Sequence, residues 1–182
     1  MFGFKIDDDI SLDLPESHDA EEIFAAIDAN REHLGRWLPW VPTVKTVEDE
    51  RNALLDLRKR YAERLGFTGI IRERGIVVGG IGTPAWDNLN RMAEIGYWLI
   101  ESACGRGIMT RTVRRVCDEL FSKWNINRIE IRAEPTNVPS RAVPERLGFR
   151  LEGTLRQRAA RGDGFADLML YSMLKSEWKF SI

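Results

Sequence analysis

Three segments of the chain place apolar residues at helical spacing. In residues 20–27 apolar positions recur three and four apart, which predicts a helix. Residues 46–49, Thr-Val-Glu-Asp, resemble a capping box and predict the start of a second, long helix whose outer face is charged and solvated. The third segment has the strongest helical pattern in the chain. Its apolar stripe consists of Val113, Val116, Cys117, Leu120, Phe121 and Trp124.

Strand patterns lie between these helices. Residues 6–14 predict a first strand. Residues 67–72 and 76–82 are β-rich runs separated by a Glu-Arg-Gly hairpin signal, and residues 93–100 form a third run. We expect these three runs to form an antiparallel meander. Two prolines interrupt residues 34–42, which predicts a loop or a short helix there.

The last third of the chain alternates between strand and helix. Residues 128–134 alternate apolar and polar positions, as a half-buried strand does. Asn137 is a typical N-cap for a short helix that Gly148 ends. Residues 151–156 and 165–175 predict two final strands. This order predicts a mixed α/β fold with a central, mostly antiparallel twisted sheet of about seven strands flanked by helices.

Composition limits the class of protein. The 182 residues, 43% hydrophobic and 30% charged, fit a single soluble globular domain over residues 1–182. The net charge of −1 predicts no direct nucleic-acid binding and no membrane binding. No apolar run reaches the length of a membrane span, and the acidic residues 1–9 are unlike a signal peptide. The cytoplasm is therefore the expected location.

The two cysteines predict neither a disulfide nor a metal site. If Cys104 and Cys117 lie on or just before one helix, roughly 18–20 Å of helical rise separates them, which is too far for a disulfide. His18 and His33 lie far from both cysteines in the sequence, so no metal-ligand spacing arises and we expect no metal. Unpaired thiols are typical of a reducing compartment.

A glycine-rich turn at residues 105–110, Gly-Arg-Gly-Ile-Met-Thr, leads into the third helix. Backbone N–H groups at such a turn, with the positive end of the helix, bind phosphate, although most glycine turns are only turns. A P-loop requires a lysine after its last glycine, and none is present. The dinucleotide fingerprint requires a glycine where Thr110 stands and a parallel βαβ unit. The turn therefore predicts a phosphate site of neither nucleotide class.

Several motifs together carry a resemblance to a known family. Residues 93–99, Ala-Glu-Ile-Gly-Tyr-Trp-Leu, followed by the glycine turn, resemble the cofactor segment of GNAT-superfamily N-acetyltransferases. Residues 137–149 are similar to the RimJ/RimL-type ribosomal-protein N-terminal acetyltransferases, as are residues 151–156, 176–178 and 37–40. The resemblance spans nearly the whole chain. It implies acetyl-CoA as cosubstrate and direct attack, in a ternary complex, by a primary amine.

The resemblance also implies which residues bind the cosubstrate. The main chain of Trp98, Leu99 and Ile100 is expected to bind the pantetheine arm and polarise the thioester carbonyl. Asn137 contacts the same arm, and Ser140 binds near the sulfur, where its hydroxyl donates to the departing thiolate. The pyrophosphate is expected at Gly105, Arg106, Gly107, Ile108, Met109 and Thr110.

A purely structural interpretation of some of these residues stays open. Asn137 is also explained as an N-cap, and Ser140 as a residue of the first helical turn. The superfamily signature places a polar residue where this chain has Cys104, and Met109 also departs from it. A thiol close to a helix N-terminus can have a lowered pKa, so a reactive Cys104 is a side hypothesis beside that of a small filler.

The general base is the point where the resemblance fails. RimL-like enzymes have a glutamate three residues after the basic residue of the Leu-Glu-Gly-x-x-Arg/Lys stretch, and here that position is Ala159. Glu94 is the candidate that replaces it, and Asp167 is a second one. Keeping a lysine amine neutral at pH 7 costs about 4.6 kcal/mol, against about 1.2 kcal/mol for an α-amine. A site without a strong base therefore favours an α-amine.

The sequence leaves several classes of acceptor open. The resemblance favours a protein N-terminus, ribosomal or other, and an enzyme that forms a homo-oligomer. A small-molecule amine, such as a polyamine, amino acid or antibiotic, is the first alternative. A non-catalytic acetyl-CoA-binding protein is the second, because of Ala159 and Cys104. The acceptor-side wall is expected at Trp37, Trp40 and Trp86, unless these side chains only pack in the core.

Overall fold

The computed structural model describes residues 3–180. Residues 1–2 and 181–182, which the predicted domain of residues 1–182 includes, lie outside the described residues. The chain divides into two compact units. The first contains residues 3–82 and 97–108, and the second contains residues 83–96 and 109–180. A single domain stays a prediction.

The first unit is built on antiparallel strands, each paired with the next in sequence. They are β1 (Gly3–Lys5), β2 (Ile10–Asp13), β3 (Thr68–Glu73) and β4 (Ile76–Gly82). The turn between β3 and β4 has Arg74 and Gly75 at positive φ, as the hairpin signal there requires. After β4, the last residues of a longer strand, β6 (Met92–Leu99), belong to this unit.

Three helices accompany these strands: α1 (Ala20–Asp28), α2 (Arg31–Gly35) and α3 (Val47–Ala62). The apolar faces of these helices form one core with β3 and β4. Its buried members are Ala20, Ile23, Ile27, Leu34, Val41, Leu54, Ile70 and Val77. The predicted capping box opens α3: the Thr46 hydroxyl accepts from the Asp49 N–H at 3.1 Å, and the Asp49 carboxylate accepts from the Thr46 N–H at 2.9 Å. Short 3-10 turns lie at Ser17–Asp19, Val41–Thr43 and Glu101–Ala103.

The second unit contains one parallel pair among antiparallel ones. Its strands are the start of β6, the short β5 (Trp86–Asp87), β7 (Arg128–Ala133), β8 (Arg150–Arg161) and β9 (Gly164–Leu174). β6 pairs with β7 in parallel across the crossover helix α4 (Ile108–Lys123), while β7–β9 and β8–β9 are antiparallel. A last helix, α5 (Val138–Arg146), connects β7 to β8.

The α4 stripe predicted from the sequence forms the core of this unit. Val113, Val116, Cys117, Leu120 and Phe121 are all fully buried. Phe121 packs against Trp178 with ring centroids 5.9 Å apart. Trp124, predicted to continue the stripe, lies beyond the helix end instead. It is half-buried and packs against Trp86.

The mixed α/β class with mostly antiparallel strands and flanking helices is confirmed, but the described residues contain nine strands instead of about seven. The additional ones, β1 and β5, have three and two residues, too few for a periodic pattern. β8 also extends to Arg161, beyond the predicted end at residue 156. A bulge between Leu155 and Ala159, with Gln157 at φ +51°, interrupts its alternation.

Candidate active site

Two glycines in β4 let the end of β6 approach closely. A Cβ added at Gly79 would lie 2.3 Å from the Trp98 carbonyl oxygen, and one at Gly80 would lie 2.6 Å from Trp98 Nε1. Beyond the strand, the Ile100 N–H donates to the Val78 carbonyl at 2.9 Å. The Ile100 amide, one of the three predicted to bind the pantetheine arm, therefore already has a partner within the protein. A Gly-Gly pair inside a strand is the signal that could have revealed this close approach.

The glycine turn has the backbone conformation expected of it. Gly105 and Gly107 both have φ +73°, a region that side chains rarely adopt. α4 starts directly after them, at Ile108, so its first N–H groups have no partner within the helix. The Ile108 and Met109 side chains are buried, which anchors the turn to the core. A phosphate at this turn would contact main chain, with Thr110, half-buried, as the next side chain along.

The charged side chain of the turn, Arg106, forms an ion pair with Glu73 of β3. Both terminal nitrogens of Arg106 donate to the Glu73 carboxylate, at 2.9 and 2.5 Å. The Arg106 side chain is half-exposed and Glu73 is more buried, so the ion pair orients the arginine along the unit's surface. Arg106 must turn away from Glu73, or share it, to bind a pyrophosphate oxygen.

Residues at the start of α2 and within it also contact the segment that leads into the turn. The Glu101 N–H donates to Asn30 Oδ1 at 3.0 Å, while Cys104 Sγ lies 3.8 Å from His33 Nε2 and 3.4 Å from the Ile100 carbonyl oxygen. Burial, followed by the Glu101 carboxylate, raises the pKa of the Cys104 thiol. The lowered pKa expected of a reactive Cys104 is therefore wrong, because burial and the Glu101 carboxylate both favour the protonated thiol. The thiol fits the interpretation as a small filler.

The predicted acceptor-side tryptophans lie in different surroundings. Trp40 meets Trp98 edge to face in the first unit, with ring centroids 6.4 Å apart. Trp37, half-buried, precedes Trp40 by three residues. In the second unit Trp86 packs edge to face on Trp124 at 5.6 Å and donates from Nε1 to Asn88. Trp40 is thus the one placed beside the strand that carries the candidate amides.

Asn137 and Ser140 are joined by the predicted cap. Asn137 Oδ1 accepts from the Ser140 N–H at 3.3 Å at the start of α5. The cap holds the Ser140 backbone at the start of the helix. Pro144 lies inside the same helix, where it cannot donate to the Ser140 carbonyl. Gly148, at φ +77°, follows the helix end as predicted.

The candidate bases on the sheet are both already bonded. Glu94 on β6 lies 3.3 Å from Arg132 and is paired in register with Glu130 on β7. Burial and Glu130 raise the pKa of Glu94, against the lowering effects of Arg132 and Arg158. Asp167 accepts the Gln157 N–H at 2.7 Å and holds the bulge of β8, a structural role. Ala159 pairs with Ala166 at the end of that bulge.

The described residues contain no helix long and apolar enough to cross a membrane. Within the same residues, histidine, cysteine, aspartate and glutamate side chains form no group of three or more that would hold a metal ion.

Comparisons with known proteins agree on one family. Residues 9–150 match the family model described as acetyltransferase (GNAT) domain. Over 180 residues the chain is 36% identical to the putative ribosomal N-acetyltransferase YdaF of Bacillus subtilis, covering 98% of both chains. It is 29% identical to the ribosomal-protein-serine acetyltransferase of Escherichia coli, covering 93% of this chain and 95% of that one. The crystal structure of the microcin C7 self immunity acetyltransferase MccE, in complex with acetyl-CoA and AMP, is 27% identical with a TM-score of 0.89, over 95% of this chain and 96% of that one.

Proposed function

This chain belongs to the GNAT acetyltransferase family and is an acetyl-CoA-dependent N-acetyltransferase, and we propose that its acceptor is the α-amine of a protein N-terminus. Two relatives named as ribosomal acetyltransferases, which align over more than nine-tenths of the chain, support that acceptor class. A ribosomal protein is the first candidate. The single observation that carries the cosubstrate's position is the positive φ of both turn glycines directly before α4.

The cosubstrate is held mostly by main chain in this proposal. The pyrophosphate binds the N–H groups from Gly105 to Thr110, where the helix end adds positive potential. Trp98 and Leu99 bind the pantetheine arm through main-chain groups, and Asn137 contacts the same arm from the start of α5. Acetyl-CoA supplies an activated thioester, so the protein's task is to orient it and to move protons.

Proton transfer is assigned to two side chains. The Ser140 hydroxyl donates to the departing thiolate, and Glu94 serves as the base candidate of the sheet. The amine attacks the thioester directly in a ternary complex, with no acetylated side chain in between. Because Glu94 already pairs with Arg132, this site suits an amine that loses its proton easily, and an α-amine does so at about a quarter of the free-energy cost of a lysine.

We propose that Trp37 and Trp40 form the wall that the acceptor meets in the first unit, while the same role for Trp86, in the second unit, stays a prediction. Their indoles provide apolar area and an N–H donor, which suits a peptide end with one or two side chains.

A small-molecule amine is the second candidate acceptor. The MccE structure, at 27% identity, is a self immunity acetyltransferase, so this fold also occurs in enzymes outside the ribosomal group.

An acceptor panel separates these candidates. Thiol release from acetyl-CoA is measured with a peptide whose N-terminus is free, the same peptide with a blocked N-terminus, a lysine peptide with a blocked N-terminus, and a polyamine. We expect turnover only with the free N-terminus. A preference for lysine or for the polyamine would overturn the proposed acceptor while leaving the enzyme class intact.

Ser140→Ala tests the assigned proton donor. We expect kcat to fall roughly 10- to 100-fold, with the Kd for acetyl-CoA within about twofold of wild type, because only the departing thiolate needs the hydroxyl. Ser176→Ala, in an exposed turn, is the matched control. An unchanged kcat in Ser140→Ala would remove Ser140 from the mechanism.

The proposal extends to where the protein is located and how it assembles. Cys104 and Cys117 are both free thiols, which supports a reducing compartment, and we propose the cytoplasm. We also propose a homo-oligomer, and light scattering on the eluting peak of a sizing column measures it.

A further inference from the structure

Two residues of α5 and one of β9 form a hydrogen-bonded ring in the second unit. Arg141 and Glu145 lie four residues apart on α5, and Tyr171 lies on β9. Arg141 Nε donates to the Tyr171 hydroxyl at 3.1 Å, and that hydroxyl donates to Glu145 Oε1 at 2.7 Å. Arg141 Nη2 closes the ring by donating to the same Glu145 oxygen at 3.3 Å. The ring therefore ties the helix to the strand through side chains alone.

Tyr171 is the member of the ring that the sheet holds in place. It is 1% exposed, and it pairs in register with Ile131 of β7 and with Leu151 of β8. Burial is the first cause that raises the pKa of Tyr171, so the phenol keeps its proton at neutral pH. A neutral phenol accepts one hydrogen bond and donates another at the same time, as the contacts with Arg141 and Glu145 require.

Arg141 extends this connection to the loop that precedes α5. Its Nη1 donates to the Pro135 carbonyl at 2.8 Å, and its backbone N–H donates to the Asn137 carbonyl at 3.1 Å. The guanidinium is planar and rigid, so its bonds to Pro135 and Tyr171 fix the start of α5 relative to β9. Asn137 and Ser140, both proposed to contact the cosubstrate, lie within the segment that is fixed in this way.

The helix by itself holds this segment weakly. α5 has nine residues, a length at which an isolated helix is marginal in water. Pro144 has no N–H, so the backbone bond that would connect the Ser140 carbonyl to the next turn cannot form. The side-chain bonds of Arg141 therefore contribute more to the position of Ser140 than they would in a regular helix.

We propose that Tyr171 is a positioning residue for acetyl transfer, because its hydroxyl acts through Arg141 to hold Ser140 where it meets the departing thiolate. This rests on the proposed function in one respect, namely that Ser140 donates a proton to that thiolate. Tyr171 itself exchanges no proton in the reaction. Proton donation depends steeply on geometry, and a displacement of about 1 Å can cost on the order of 100-fold in rate.

The test compares Tyr171→Phe with Ser172→Ala, using whichever amine the wild-type panel accepts. Both variants remove one hydroxyl from a buried position of β9, since Ser172 is 3% exposed and donates to Glu152 at 2.6 Å. We expect kcat to fall roughly 5- to 20-fold in Tyr171→Phe and to stay within about twofold in Ser172→Ala. The Kd for acetyl-CoA should stay within about threefold in both, because main chain holds most of the cosubstrate.

A double-mutant cycle with Ser140→Ala separates positioning from a general loss of structure. In the Ser140→Ala background, Tyr171→Phe should lower kcat by less than about twofold, because the group that it positions is gone. Arg141→Lys keeps the charge and loses the planar fork, so it should behave as Tyr171→Phe does, both alone and in that background. This second variant decides the matter if Tyr171→Phe does not fold.

Three results would overturn the proposal. The first is a wild-type kcat in both Tyr171→Phe and Arg141→Lys. The second is a loss of the same factor with and without the Ser140 hydroxyl, which leaves the role of Ser140 intact and makes Tyr171 merely structural. The third is an unchanged kcat in Ser140→Ala alone, which removes the proposed proton donor together with the residue said to position it.

The nature of the acceptor does not enter this comparison. If the panel shows a lysine or a small amine as the preferred acceptor, the proposed α-amine is wrong, and the cycle is carried out with that amine.

Discussion

Glu50 in the first unit and Glu94 in the second are both largely buried glutamates, but their surroundings are opposite. Glu50 is buried on the same helix as the core residue Leu54, and burial is the one cause of its raised pKa. Glu94 lies beside Arg132, with Glu130 next to it in register. Burial is the largest cause of a raised pKa at both positions, yet only Glu94 has arginines that oppose it. A counter-ion stabilises the charged form of a buried carboxylate and lowers its pKa. Burial without a counter-ion favours the protonated form and raises the pKa.

The charges around Glu94 continue across the second unit as an alternating chain. Arg132 bonds Glu130 at 2.9 Å, Glu130 bonds Arg128 at 2.8 Å, and Arg128 bonds Glu152. Ser172 donates to Glu152 as well, and together these contacts lower the pKa of Glu152 to about 2. Such a chain fixes the register of β7, β8 and β9. Its first function is therefore structural.

The largest expected effect comes from removing the counter-ion of Glu94. Arg132→Gln leaves two carboxylates, Glu94 and Glu130, at 17% and 11% exposure without their shared partner. We expect unfolding free energy to fall by about 3–4 kcal/mol, measured by denaturant titration at pH 7. Arg36→Gln, which breaks the exposed pair with Glu32, should cost about 0.5 kcal/mol or less. Equal losses in the two variants would mean that the chain of charges stabilises nothing.

Neutralising Glu50 should raise the unfolding free energy instead of lowering it. The pKa is about 7 in the fold and 4.5 as its reference value, so the folded state binds the proton more tightly. Stability from this group is present below pH 4.5 and is lost as the pH rises to about 7. Glu50→Gln should thus raise the unfolding free energy at pH 8 by on the order of 2–3 kcal/mol, which is a Tm increase of several degrees.

At pH 5 the same variant should differ little from wild type, because Glu50 is then protonated. Glu48→Gln serves as the control and should show no such pH dependence. A Glu50→Gln variant that is less stable than wild type at pH 8 would place a partner beside Glu50 that its surroundings do not contain.

The smallest effect concerns the helix that carries Glu50. Thr46→Ala removes the N-cap of α3 and should cost about 1 kcal/mol. Asn137→Ala, which removes the cap of α5 in the second unit, should cost a similar amount. Only Thr46→Ala should also lower the pKa of Glu50, because fraying of the first turn admits water. Proton titration followed by NMR of the Glu50 carboxyl carbon measures this, and equal shifts in the two variants would contradict it.

Features that depend on a few neighbouring residues were predictable. The cap at Thr46, the cap at Asn137 and the positive φ of Gly105 and Gly107 all follow from short-range hydrogen bonding and sterics. The α4 stripe was predictable for the same reason, and it failed at its last position, Trp124, where the helix had already ended.

Features that depend on residues distant in the sequence were not predictable. The acidic side chain of Glu50 resembles its solvated neighbours until the packing of α3 against the core encloses it. The bulge of β8 needs Asp167 on the opposite strand, and Arg106 meets Glu73 across 33 residues of sequence.

By itself the sequence determined the mixed α/β class, the family, the acetyl-CoA cosubstrate and the turn that is proposed to hold it, because periodicity, capping and glycine conformation act within one turn of helix or one pair of strands. The tertiary structure decided which carboxylate is desolvated and which is paired. Desolvation and ion pairing are set by the side chains that folding brings around a group, and those lie tens of residues away in the chain.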